Sequence, residues 1–163
     1  MLIDLNNIDA KEIAAILPEN VILEQAAAYM AQNLKKGEAL TSPDKARELV
    51  RTLLFNKERE TFIVLLLDTQ NRYIDHEVLF EGTIDQASVY PREVVKYALD
   101  YNAKAVFLAH NHPSGKAEES AADKRITRLI CDALSLIDVN VLDHFIVGTQ
   151  SDEILSFAEK GWL

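Results

Sequence analysis

The chain has 163 residues, 48% of them hydrophobic, which fits one domain with a sizeable core. Acidic residues outnumber basic ones, 26 to 17, for a formal net charge of -9; long-range repulsion therefore opposes a phosphate backbone, and "RTLLFNKERE" and "DKRITR" mix both signs rather than forming a basic patch. A single Cys excludes an intramolecular disulfide, the longest apolar run, "FIVLLL", is far too short for a membrane span, and no basic stretch leads into an apolar one as in a signal peptide, so a cytoplasmic protein is expected.

Residues 1–40 read as a helical N-terminal segment ahead of a domain over 41–163. "DAKEIAAIL" stops at Pro18, and "ENVILEQAAAYMAQNLKKG" carries apolar residues at helical spacing, lysines at its end and Gly37 as a stop. In "TSPDKARELVRTLLF", Ser42 is a natural N-cap, Pro43 suits the first helical position and Asp44 the first turn, so a helix is predicted over 42–55. "TFIVLLLD" is continuous and β-rich, as in a central strand; "TQNR" turns the chain and "YIDHEVLFEG" returns it as a hairpin. "SVYPREVVKYALDYN" reads as a helix entered through Pro91, "AKAVFLAH" as a buried strand, "SAADKRITRLICDALSLI" as a helix and "DVNVLDHFIVG" as a strand. "EILSFAEKGWL" gives a short final strand and tail. Strands alternating with helices beside a hairpin predict an α/β (α+β) domain, a mixed β-sheet with flanking helices. Cys131, in "RLICDAL", is expected to pack as a small apolar side chain.

The densest chemistry lies in "HNHPSGKAEESAADKRI", from His110 to Ile126. His110 and His112 are two apart at the end of a strand, so they share a face while Asn111 points away. Both can meet one ion. Pro113 and Gly115 force a turn, and the helix that follows brings Asp123 in its first turn. Two imidazoles and a carboxylate would leave the fourth place of a tetrahedral zinc site to water. The same letters fit a bland reading: Ser120 and Asp123 form a capping-box pattern, and two histidines ending a strand can simply hydrogen-bond in a polar loop. The letters H-N-H are not the nuclease motif of that name, which spreads its residues over a ββα unit.

A catalytic zinc site also needs a base that is not a ligand. Glu58, Glu60, Glu77, Glu81 and Glu93 are candidates, and spacing alone does not choose among them. Glu60 enters a buried strand from a mixed-charge segment; Glu77 lies on the hairpin's second strand. Asp143-His144, on a strand in "VLDHFIVG", reads as a core pair or as a group orienting the site from behind. His76 is expected to be exposed. Arg92 could hold a substrate carboxylate or a structural salt bridge. Gly82, Gly115 and Gly148 are turn residues without a phosphate-loop context.

The blocks "LLFNKERETFIVLLLDTQNR", "EVLFEGT", "SVYPREVVKYAL", "AVFLAHNHPSG", "SAADKRIT", "VLDHFIVG" and "SFAEKG", in that order over 42–163, resemble the bacterial RadC family. The core of that family is similar to the JAMM (MPN-type, JAB) metallopeptidase domain, a cytidine-deaminase-like arrangement. The resemblance implies one zinc ion, with His110, His112 and Asp123 matching the ligands, Glu60 the general base and Ser120 the serine that helps hold the oxyanion. It implies hydrolysis of peptide or isopeptide bonds by metal-activated water, on a peptide or protein substrate the sequence does not name. The family's association with DNA repair offers a rival reading, a DNA-processing accessory protein, which the charge does not support. A second rival is a metal-stabilised binding domain. Residues 1–40 lack the glycine-containing hairpin that clamps phosphates in the family's helix-hairpin-helix-like region. No membrane association is expected, and self-association is compatible with the sequence.

Overall fold

In a computed structural model the described residues are 37–54, 57–82, 89–149 and 153–163. The helices expected before Gly37 lie outside them. The described elements, in chain order, are α1 (Pro43–Leu54), β1 (Glu60–Leu67), β2 (Tyr73–Gly82), α2 (Pro91–Asp100), β3 (Ala105–His112), α3 (Ala121–Ser135), β4 (Asn140–Gly148) and β5 (Ile154–Ser156). Each expected element from Ser42 onward is present. Ser42 caps α1 by accepting the Lys45 N–H at 3.3 Å, and Pro91 opens α2.

The strands form one five-stranded mixed sheet in the order β2-β1-β3-β4-β5. β1 pairs antiparallel with both β2 and β3, β4 with β5 likewise, and β3 and β4 run parallel, joined by α3 as the crossover. The hairpin turn is held by Asp68, whose Oδ1 accepts the N–H groups of Gln70 (2.8 Å) and Arg72 (2.9 Å). Ala39 bridges Arg72, and Leu40 is buried in the core below.

Phe62–Leu67 of β1 and Ala105–Ala109 of β3 are apolar without a break because both faces of the sheet are covered. On one face Ile63, Leu65, Leu67, Phe107 and Ala109 pack with Leu49, Val50 and Leu54 of α1. On the other, Phe62, Val64, Leu66, Val106 and Leu108 pack with Val94 and Ala98 of α2 and with Ile130 and Leu134 of α3. This strict alternation places the polar residues that end the strands. His110 and His112 continue the Val106–Leu108 face, toward α3. Asn111 continues the Phe107–Ala109 face. In α3 the buried positions Asp123, Thr127, Ile130 and Leu134 form one stripe, polar at its N-terminal end and apolar below.

Candidate metal centre

Phe62 of β1 lies opposite His110 of β3. Counting two residues outward along this antiparallel pair brings Glu60 toward His112, and the Glu60 Oε1 lies 3.7 Å from His112 Nε2. The two histidine Nε2 atoms are 3.0 Å apart. Asp123 reaches up from the first turn of α3, with Oδ1 3.3 Å from His110 Nε2 and Oδ2 3.9 Å from His112 Nε2. Glu60, His110 and His112 each offer a ligand atom within 4.8 Å of the others.

The position of α3 is fixed by a reciprocal cap. Ser120 Oγ accepts the Asp123 N–H (3.1 Å), and Asp123 Oδ2 accepts the Ser120 N–H (2.7 Å). The capping-box pattern and the cluster are therefore one arrangement: the carboxylate that closes the box also turns toward the histidines. His112 Nδ1 lies 3.2 Å from the carbonyl oxygen of Lys116, in the turn that Gly115 makes at φ 85°. A carbonyl only accepts, so Nδ1 carries the proton and, in the neutral ring, Nε2 presents its lone pair to the cluster. His110 is fully buried, and burial pushes its pKa down to about 4, against the pull of the Asp123 charge and with the help of His112. Its short contact with Asp123 is thus not an ordinary ion pair. Two ring nitrogens and a carboxylate converge, a donor set that suits zinc or a similar divalent ion.

Behind the cluster stands His144 of β4, with its ring completely buried. Its Nε2 lies 2.9 Å from His110 Nδ1 and its Nδ1 2.6 Å from Thr127 Oγ1. It is therefore a core residue that also meets the His110 ring from behind. Neighbouring Asp143 points elsewhere, accepting from Ser156 Oγ (2.5 Å), the Ala158 N–H (2.9 Å) and its own neighbour's N–H (2.7 Å), which ties the last strand to the sheet.

Asn111, on the opposite face, is buried and accepts the Thr61 N–H at 2.8 Å. Its amide lies 3.2 Å from the Lys57 carbonyl, 3.1 Å from the Arg59 carbonyl and 3.3 Å from Thr149 Oγ1. The segment that delivers Glu60 is thus clamped on either side by a residue that sits between the two histidines. An open cleft of about 450 Å³ adjoins the cluster, lined by Glu58, Arg59, Glu60, Gly82 and Pro113.

The other residues singled out in the sequence lie in different settings. Glu77 accepts from the Tyr101 hydroxyl (2.8 Å) and pairs with Val64, four residues along β1 from Glu60. Arg92 lies over the Tyr90 ring, 5.0 Å from its centroid, and 3.5 Å from Glu93. Cys131 is half-buried, and burial raises its thiol pKa. His76 departs from expectation: it is half-buried rather than exposed, because its Nδ1 meets the buried Tyr73 hydroxyl at 2.7 Å. Thr127 was missed altogether. Its signal was its spacing, four residues beyond Asp123 on the same helix face.

Fold and cluster together define a mixed-sheet domain carrying a histidine-carboxylate centre at the end of its central strands. The family model described as RadC-like JAB domain matches residues 40–162. The chain is 58% identical over 142 residues to a UPF0758 protein of Vibrio vulnificus (strain YJ016), and 56% identical over 142 residues to UPF0758 proteins of Vibrio atlanticus (strain LGP32) and of Vibrio cholerae serotype O1 (strain ATCC 39315 / El Tor Inaba N16961). Each match covers 87% of this chain and 62% of the relative, so the chain spans less than two thirds of the relatives' length. The chain belongs to the RadC family, with a RadC-like JAB domain. No helix among the described residues is long and apolar enough to cross a membrane.

Proposed function

We propose that this domain is a zinc-dependent hydrolase of the JAMM type, acting on a peptide or isopeptide bond. The observation that carries the reading is the convergence of His110 Nε2, His112 Nε2 and the Asp123 carboxylate, with the Glu60 carboxylate beside them on the wall of an open cleft. His110, His112 and Asp123 would hold the ion. When bound, zinc supplies Lewis acidity, which acidifies water and polarises a carbonyl.

The remaining chemistry belongs to the chain's own residues. Glu60 takes the proton from the attacking water and returns it to the leaving amine. It is suited to that role because it is close to the cluster and keeps a fifth of its side chain, 20%, exposed beside the cleft. Ser120 Oγ uses a lone pair to accept the Asp123 N–H, which leaves the hydroxyl proton for a developing oxyanion. Asn111 and the cap on α3 keep base and ligands in register.

The test is elemental analysis of protein purified without added metal, beside the H110A/H112A variant. Near-stoichiometric zinc in the wild type and none in the double variant is expected. Absence of metal, or equal metal in both, overturns the reading. Zinc-loaded protein would then be assayed on fluorogenic peptides and on isopeptide-linked conjugates, with E60Q as the inactive control.

A further inference from the structure

A line of hydrogen bonds leads from the cluster into the core, and its direction can be worked out donor by donor. Thr127 Oγ1 lies 2.6 Å from the Asp123 carbonyl oxygen and 2.6 Å from His144 Nδ1. A carbonyl oxygen can only accept, so the single hydroxyl proton of Thr127 goes to Asp123. The Thr127 lone pair must then accept from His144, which places a proton on His144 Nδ1. The His144 ring is wholly buried between Phe62 and Phe157, at centroid distances of 5.3 and 4.7 Å. Its polar partners are Thr127 and His110, neither of them a carboxylate. A second ring proton would bury an unpaired cation among aromatic rings. His144 Nε2 is therefore an acceptor, and the 2.9 Å contact to His110 is a bond donated by His110 Nδ1–H.

We propose that Thr127 and His144 are positioning residues, forming a one-way hydrogen-bond relay that starts at the Asp123 carbonyl and holds His110 as its Nδ1–H tautomer with a bare Nε2. The proposal rests on the metal-centre reading for His110, because His112 Nε2, 3.0 Å from His110 Nε2, also presents a lone pair and two bare nitrogens side by side call for a cation between them; the direction of the bond between His144 and Thr127 does not rest on it. Asp123 then acts at both ends. Its carboxylate faces His110 Nε2, while its carbonyl, one helical turn before Thr127, sets the direction of the bonds that reach His110 Nδ1 from behind. Without the Thr127 hydroxyl, nothing fixes the His144 tautomer. A proton on His144 Nε2 would reverse the last bond and force the His110 proton onto Nε2, where a metal must bind. His112 needs no such relay, because the Lys116 carbonyl fixes its tautomer directly.

The experiment has two arms. Long-range ¹H–¹⁵N NMR of the full chain at neutral pH, metal-free and with one equivalent of zinc, reads each imidazole tautomer. Nδ1–H is expected for His144 in both samples and for His110 with zinc present, and Nε2–H on His144 in either sample overturns the proposal. In the second arm, zinc affinity is measured by chelator competition for wild type, T127V, H144F and H144Q, with urea stability measured in excess chelator. T127V and H144F should bind zinc about 10–100-fold more weakly, the usual effect of removing a group that orients a ligand. H144Q, whose amide can accept from His110 and donate to Thr127, should recover most of that loss even if it is no more stable than H144F. Wild-type zinc affinity in folded T127V overturns the relay. If H144F does not fold, T127V and the wild-type spectrum still decide. The Nδ1–H tautomer of His144 in a wild-type chain that takes up no zinc would support the relay and overturn the metal-centre reading.

Discussion

Replacing Asn111 tests whether the strand entry that carries Glu60 is held by one buried amide. In N111A the Thr61 N–H loses its 2.8 Å acceptor in a buried place, at a cost of about 1–3 kcal/mol. The Lys57 carbonyl loses its Asn111 donor but can be partly rehydrated, at about 1 kcal/mol, while the Arg59 carbonyl keeps the Thr61 hydroxyl at 3.2 Å. The sum, roughly 2–4 kcal/mol, is a large share of the about 5–15 kcal/mol of a typical domain. N111D is the sharper variant. It keeps the shape and still accepts from Thr61, but an ionised carboxylate there faces two carbonyl oxygens. Its folded pKa must rise above the unfolded value of about 3.9. The unfolded chain then releases the proton first as pH rises. Hence N111D loses stability relative to wild type as pH rises through the interval between the two pKa values, and the gap closes on acidification. Urea unfolding of both variants and wild type across this pH range is the assay. A loss below about 1 kcal/mol in N111A, smaller than a single orphaned buried donor, or a pH-independent gap in N111D, would refute the clamp.

Three further outcomes are expected. E60Q should keep zinc while hydrolysis of any substrate found falls by about 10²–10⁴, whereas D123N should lose zinc and activity together; E58Q and E77Q are the controls, and an inactive E58Q beside an active E60Q would reassign the base. Burial lowers the His110 pKa to about 4 and that of His144 well below its ordinary value, so the unfolded chain takes up protons first on acidification. Metal-free protein should therefore lose stability as pH falls below about 6.5 toward the folded values, with the urea midpoint following, and a flat midpoint over that window would show that the rings are not buried as neutral groups. Affinity for duplex DNA should be poor at physiological salt given the net charge of -9; sub-micromolar binding with a steep salt dependence would reveal a basic patch made only by folding.

The order of elements was legible in the sequence because its signals are local. Ser42-Pro43-Asp44 marks a helix start, the unbroken apolar run of β1 requires a strand covered on both faces, and the i,i+2 histidines can only share one side. The grouping of His110, His112 and Asp123, proposed to hold the ion, was legible for the same reason, since Asp123 follows the histidines across a single turn. The partnership of Glu60 with that trio was not. It depends on register between strands fifty residues apart in sequence, Thr61 to Asn111, and nothing local states a register. Residue family resemblance pointed to Glu60 where spacing left five glutamates open.

The supporting residues were least legible, because they are ordinary in isolation. Thr127 looks like any threonine inside a helix, and Asn111 like a spacer between two histidines. Their roles follow from the alternation of a strand buried on both sides. β3 cannot turn His110 and His112 toward α3 without turning Asn111 toward the opposite layer, where the chain entering β1 passes. A slip of one residue in β3 would exchange these sets, burying the amide where the two histidines belong and aiming both rings at backbone carbonyls. The clamp on Glu60 and the pair of ring nitrogens are thus two faces of the same register. Each opposes slippage of the other: the apolar core would tolerate the exchange of Val106 and Phe107 more readily than these polar groups would tolerate loss of their partners.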